Sequence, residues 1–198
     1  MIYKNYTYKS FVGTMTNDEY NELIDILEEF KPNRICELGS GQSTIIFEQY
    51  KNKYNCELYS IEHDINWINN NTTILIPLID EESNININGH IYESCNKYDG
   101  LENWLNNQDK FDFILIDGPF GYGYRENFKY SRIQILSFVL LNKIEDNAYI
   151  LYHDSERNNA KTTLNEFETL LKENNFEFNK KVINDIPELT IYKAIKKI

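Results

Sequence analysis

The chain predicts an α/β fold in which a doubly wound, mostly parallel sheet finishes in a C-terminal antiparallel strand pair. Three observations carry this expectation. Short apolar runs alternate along the chain with segments of helical periodicity, the pattern left by strands that helices cross over. The run Arg34 to Leu38 (RICEL) stops at a glycine and passes straight into a helical stretch. Near the end, two strand-like runs follow one another with no helix between them, which requires an antiparallel return.

Tyr20, Leu23, Ile24, Leu27 and Phe30 recur at helical spacing behind Thr16, Asn17, Asp18 and Glu19, a capping candidate followed by early negative charge. That helix stops near Lys31-Pro32, so residues 1–32 read as an N-terminal helical segment. After the RICEL strand, Gln42 to Tyr50 is helical, and Glu57 to Ile61 is a second strand ending in an acidic cluster. Thr73 to Ile79 (TILIPLI) is a third, with Pro77 marking its end or a sheet edge. Residues 80–98 are polar and Asn-rich and read as an irregular insertion with room for a short strand where Ile85 and Ile87 alternate. Phe111 to Ile116 (FDFILI) is the strongest buried strand and Ala148 to Tyr152 (AYILY) the next, with a helix over Tyr130 to Leu141 between them. Ala160, Leu164, Phe167 and Leu171 mark a last helix before strands at Glu177 to Ile183 and Leu189 to Ala194. No repeat or linker appears, so residues 1–198 are expected to form a single domain with a Rossmann-like sheet.

Composition excludes several function classes. With 41% hydrophobic and 26% charged residues, the chain resembles an ordinary folded protein rather than a disordered one. A formal charge of −11 without a Lys/Arg cluster argues against a nucleic-acid partner. No stretch approaches a membrane span and the start lacks the layout of a secretory signal, so no membrane partner and a cytoplasmic location are expected. Cys36, Cys56 and Cys95 are odd in number and lack C-x-x-C spacing, which suits reduced thiols better than disulfides or a zinc site.

In an open sheet of this kind ligands bind outside the carboxyl ends of the strands, where the strand order reverses. The residues just after the strands are therefore the functional candidates. Gly39, Ser40 and Gly41 form a turn between strand and helix, where the backbone can approach a ligand and the helix start, with Ser43, offers unpaired amides. Glu37 puts a carboxylate at the mouth of the first strand, which suits a ligand with positive charge. Glu62, about 20 residues after the turn, is placed to accept ribose hydroxyls, with His63 beside it. A dinucleotide fingerprint G-x-G-x-x-G would need glycine where Thr44 stands, which weakens the reading as an NAD-dependent oxidoreductase.

RICELGSGQST, LYSIEHD and FDFILIDGP resemble motifs I, II and IV of class I S-adenosylmethionine (SAM)-dependent methyltransferases, and the resemblance covers most of the chain. The runs DGPFGYGYRENFKYSRIQ and ILYHDSER are similar to small-molecule and polysaccharide O-methyltransferases, including the plant glucuronoxylan methyltransferase family with its DGP and HD-x-x-R elements. The resemblance implies SAM as cofactor and a hydroxyl of a small-molecule or carbohydrate acceptor as methyl target. A noncatalytic SAM-binding module is the competing expectation. Asp117 and Asp154 are expected to end neighbouring strands, where they could act as base or hold a divalent cation such as Mg, and His153 is the general-base candidate. Tyr122 and Tyr124 alternate with glycine in a lid-like loop. Arg125 beside them could grip an acidic sugar or sugar phosphate, or anchor the loop. The sequence leaves homo-oligomer formation open.

Overall fold

The structure, a computed structural model, describes residues 14–68, 73–81, 85–119, 123–183 and 187–197, apart from the side chains at 81, 123 and 124. The first element is set by a capping box. The Thr16 hydroxyl accepts the Glu19 amide and the Glu19 carboxylate accepts the Thr16 amide, so two donors are satisfied at the start of α1 (Asn17–Phe30). Lys31, left-handed at φ 56°, ends it. Then come β1 (Arg34–Leu38), α2 (Gln42–Tyr54) and β2 (Glu57–Glu62).

The TILIPLI run does not remain one strand. β3 (Thr73–Leu75) pairs with β2 at the sheet edge, whereas β4 (Leu78–Glu81), beyond Pro77, leaves the sheet and pairs antiparallel with β7 (Cys95–Tyr98). Proline has no amide to continue a ladder, so the chain parts there. Inside this pair sits a hairpin, β5 (Ile85–Ile87) and β6 (His90–Tyr92), turned by Asn88 and Gly89 at φ 49° and 89°. The segment expected to be irregular is therefore two small ladders, with Ile85, Ile87, Tyr92, Cys95 and Tyr98 buried against the main sheet.

The remaining elements are α3 (Leu101–Asn106), β8 (Phe111–Ile116), α4 (Ile135–Leu140), β9 (Ile144–His153), α5 (Asn158–Glu173), β10 (Phe176–Ile183) and β11 (Leu189–Lys196). The helix expected over 130–141 is regular only from Ile135, because Tyr130 bridges to Cys95 and Arg132 is left-handed at φ 48°. Seven strands lie in the order β10-β11-β9-β8-β1-β2-β3; β3, β2, β1, β8 and β9 pair in parallel, and β11 runs antiparallel to both its neighbours. The doubly wound sheet and its terminal antiparallel pair are as the sequence predicts.

Both sheet faces are covered. Alternation along β8 sends Ile114 and Ile116 into the cluster formed with α3, α4 and α5, and Phe113 and Leu115 into the one formed with α1 and α2. Strand order reverses between β1 and β8, so the loops after these strands, β2 and β9 share one rim. Among the described residues, no helix is long and apolar enough to cross a membrane. Cys36, Cys56 and Cys95 are buried free thiols.

Candidate active site

The turn after β1 and the loop after β8 touch through glycine. Gly39 has φ +96°, and a Cβ on it would lie 2.5 Å from the Gly118 nitrogen; one on Gly118 would lie 2.7 Å from the Gly39 Cα. The amides of Asp117 and Gly118 both donate to the Leu38 carbonyl, at 2.8 and 2.6 Å. Two bare backbones in contact thus hold Asp117 beside the glycine turn. Gly41 differs: its φ of −175° suits any residue, and a Cβ there would meet nothing within 4 Å. It faces open space in a pocket lined also by Tyr20, Gly39, Ser40, Glu62, His63, Trp67, Asp117, Arg132 and Asp154.

Glu37 lies beneath the turn rather than in the pocket. Strand alternation turns it toward α2, where its carboxylate accepts the hydroxyls of Ser43, Thr44 (2.7 Å) and Ser60 (2.6 Å). Burial pushes its pKa up to about 7 although these three donors pull the other way, and the Asp117 charge adds to the rise. Ser43 is equally buried, so Glu37 and Ser43 brace the cradle from below. Thr44 closes the helix start, because its hydroxyl also accepts the Gly41 amide at 2.9 Å. An amide that a dinucleotide pyrophosphate would use is already spent there.

Glu62 ends β2 at the pocket wall and is held by three backbone amides: Ser40 to Oε2 at 2.9 Å, His63 and Asp64 to Oε1 at 2.6 and 2.9 Å. A carboxylate so fixed is preorganised, with lone pairs left for hydroxyl donors. The Ser40 hydroxyl donates to the Trp67 carbonyl at 2.5 Å, tying the glycine turn to the segment after β2. Trp67, half exposed, puts an indole on the rim.

Across the pocket stand Asp117, His153 and Asp154. His153 is the last residue of β9, and Asp154 turns left-handed at φ 59°, so the two need not face opposite sides as strand neighbours would. His153 Nδ1 lies 2.8 Å from Asp117 Oδ1 and its Nε2 lies 3.8 Å from Glu19 of α1. Burial lowers the His153 pKa, but the Asp117 and Asp154 carboxylates outweigh it and leave it raised. Burial also raises that of Glu19, against the Thr16 amide. His153 is wholly buried while the Asp117 side chain retains 19% exposure, so of this pair Asp117 reaches the pocket and His153 stands behind it. Direct proton abstraction by His153, the expected role, does not suit this placement; holding Asp117 does.

Arg132, 3% exposed, is a site residue that the sequence does not single out. Its guanidinium donates to the His153 carbonyl, to Asp154 Oδ2 at 2.7 Å and to the Pro119 carbonyl at 3.4 Å, and lies 3.5 Å from Asp117 Oδ1. Arg157 adds a contact to Asp154 at 3.0 Å. Burial would raise the Asp154 pKa, but Arg132, His153 and Arg157 win and lower it. Asp117, His153 and Asp154 do bring ligand atoms within 4.8 Å of one another. A divalent cation nevertheless fits poorly at the expected Asp117 and Asp154 pair, since a guanidinium already sits between the two carboxylates.

Arg125 makes a bidentate pair with Asp80 at 2.9 Å for both contacts, joining the loop after β8 to β4. This is the anchoring geometry; an anion clamp would require that pair to open. Tyr122 lies outside the described residues, as does the Tyr124 side chain. In the sequence Tyr20 reads as helix core, and no pattern singles out Trp67. For Arg132, a lone arginine followed by an apolar helix was the available signal.

No protein-family model matches this chain, and no curated protein does. Solved structures do share its fold. A Podospora anserina methyltransferase bound to S-adenosylhomocysteine (SAH) aligns with a TM-score of 0.58 at 14% identity, covering 92% of this chain and 80% of that one. The Streptomyces achromogenes O-methyltransferase TomG, involved in tomaymycin synthesis and solved with SAM, gives 0.58 at 10% identity over 92% and 82%. A Bacillus cereus O-methyltransferase with SAH gives 0.57 at 12% over 94% and 84%. The chain therefore has the class I methyltransferase fold.

Proposed function

We propose that this protein is a SAM-dependent methyltransferase acting on a hydroxyl of a small-molecule acceptor. The observation that carries the reading is the pairing of the Gly41 cradle, open where a side chain would stand, with Glu62, fixed by three amides on the same wall. Glu62 would accept the ribose hydroxyls, the Gly39–Gly41 backbone would follow the amino-acid end, and Trp67 would offer its ring to the base. Bound SAM supplies a methyl carbon activated by a sulfonium. Asp117, aligned by His153 Nδ1, would take the hydroxyl proton as the acceptor oxygen bonds the methyl carbon, the methyl–sulfur bond breaking with its electron pair left on sulfur and SAH as the leaving group. A carbohydrate acceptor, an acidic sugar in particular, rests on the Asp117-Gly118-Pro119 and His153-Asp154-x-x-Arg157 likeness to the polysaccharide enzymes.

The test is calorimetric titration with SAH, alongside methyl transfer from labelled SAM to small hydroxyl acceptors. SAH at a hundredfold over its Kd should stabilise the protein by about 2.7 kcal/mol, while NAD leaves it unchanged. Glu62→Gln should weaken SAH about tenfold or more by disturbing hydrogen bonds to a charged acceptor. Folded wild-type protein that takes up no SAH overturns the proposal; uptake without transfer to any acceptor points instead to a binding module.

A further inference from the structure

We infer that Arg132 is the resident cation of this site, seated between Asp117 and Asp154 so that the two strand ends are bridged by a guanidinium and not by a divalent metal ion. The inference rests on the methyltransferase reading for its functional meaning but on the geometry alone for its substance. Arg132 Nη2 lies 2.7 Å from Asp154 Oδ2 and 3.5 Å from Asp117 Oδ1, the space an ion shared by these carboxylates would need. A hard divalent ion requires about six oxygen ligands at 2.0–2.6 Å, and His153, the third nearby donor, has Nδ1 directed at Asp117.

Charge points the same way. Two carboxylates, Asp117 and Asp154, face two guanidiniums, Arg132 and Arg157, so no net negative charge remains among these four to draw a dication. The arginine is also built into the wall. Its guanidinium is held by the carbonyls of His153, at the end of β9, and Pro119, in the loop after β8.

The guanidinium thus fixes the spacing of Asp117 and Asp154 and keeps a positive charge at the pocket wall, where an oxygen losing its proton would be stabilised. Arg132 is a positioning residue in this scheme. Arginine holds one geometry and one charge at every accessible pH.

The test is titration of the SAH-equilibrated protein with Mn2+, followed by electron paramagnetic resonance, which reads the ion without reference to turnover. Wild type should bind no stoichiometric Mn2+. Arg132→Met, which removes the cation between the two carboxylates, should bind one ion at least about tenfold more tightly than wild type, with Mg2+ competing, and Arg132→Lys should stay metal-free. One Mn2+ bound by wild type and lost in Asp154→Asn overturns the inference, and so does a folded Arg132→Met that gains no affinity. Should Arg132→Met fail to fold, Arg132→Gln is read by the same criterion. Absence of SAH binding would sink the methyltransferase reading while leaving the Mn2+ result to decide this one.

Discussion

Replacing Glu37 by glutamine should change how stability depends on pH. The Glu37 carboxyl is wholly buried and its pKa rises from 4.5 to about 7. The folded protein therefore keeps a proton that the unfolded chain has already released. The resulting stabilisation is greatest below the unfolded value and is lost as pH climbs through about 7. Between pH 5.5 and 8.5 linkage with these two pKa values removes about 2 kcal/mol from the wild type. Glu37→Gln is neutral throughout and has the same shape, so it lacks this component. Urea unfolding of both proteins across that range isolates the effect, because the repulsion arising from a net charge of −11 is nearly common to both. The window stays above the sequence pI of 4.8, where solubility is poorest. The gap between the two proteins should move by about 2 kcal/mol in favour of Glu37→Gln as pH rises. A gap that stays flat would refute the assignment of a protonated buried carboxyl beneath the glycine turn.

Two further perturbations separate scaffold from chemistry. Gly39→Ala meets the Gly118 backbone and a left-handed φ and should cost at least 1–2 kcal/mol in urea midpoint analysis, roughly the left-handed penalty alone, whereas Gly41→Ala should cost under about 1 kcal/mol as a poorer helix cap yet weaken SAH in calorimetry; equal stability losses would refute the division. Asp117→Asn should lower kcat about 10²- to 10⁴-fold, the usual yield of a positioned base, with SAH affinity little changed. His153→Gln, which acts through Asp117, should cost less and shift the pH profile of kcat; a larger loss than Asp117→Asn would place His153 in direct contact with the acceptor.

The amino-acid order by itself determined the sheet and which residues follow its strands. Periodicity marked α1, β1, β2, β8, α5 and the terminal strands within a few residues of their observed ends, because each pairs a continuous apolar pattern with a local stop such as Lys31-Pro32 or Gly39. The β5–β6 hairpin was legible only as a short strand around Ile85 and Ile87, because the polar residues around it mask the two-residue turn at Asn88-Gly89. The fate of the strand interrupted by Pro77 was not, since proline says that a ladder ends and not where the chain pairs next.

Only the tertiary structure decided the roles of the charged residues. Glu37 and Glu62 lie on the same face of neighbouring strands, yet Glu37 sits level with Ser60 under α2, while Glu62, two residues further along β2, is held by backbone amides at the pocket. His153 and Asp154 share a site because β9 stops between them and φ at Asp154 changes sign. Arg132 meets Asp154 across 22 positions of sequence and Glu19 comes within reach of His153 across more than a hundred, pairings that no local pattern encodes. Burial and distance fix what an ionisable side chain can do, and both are properties of the packed chain.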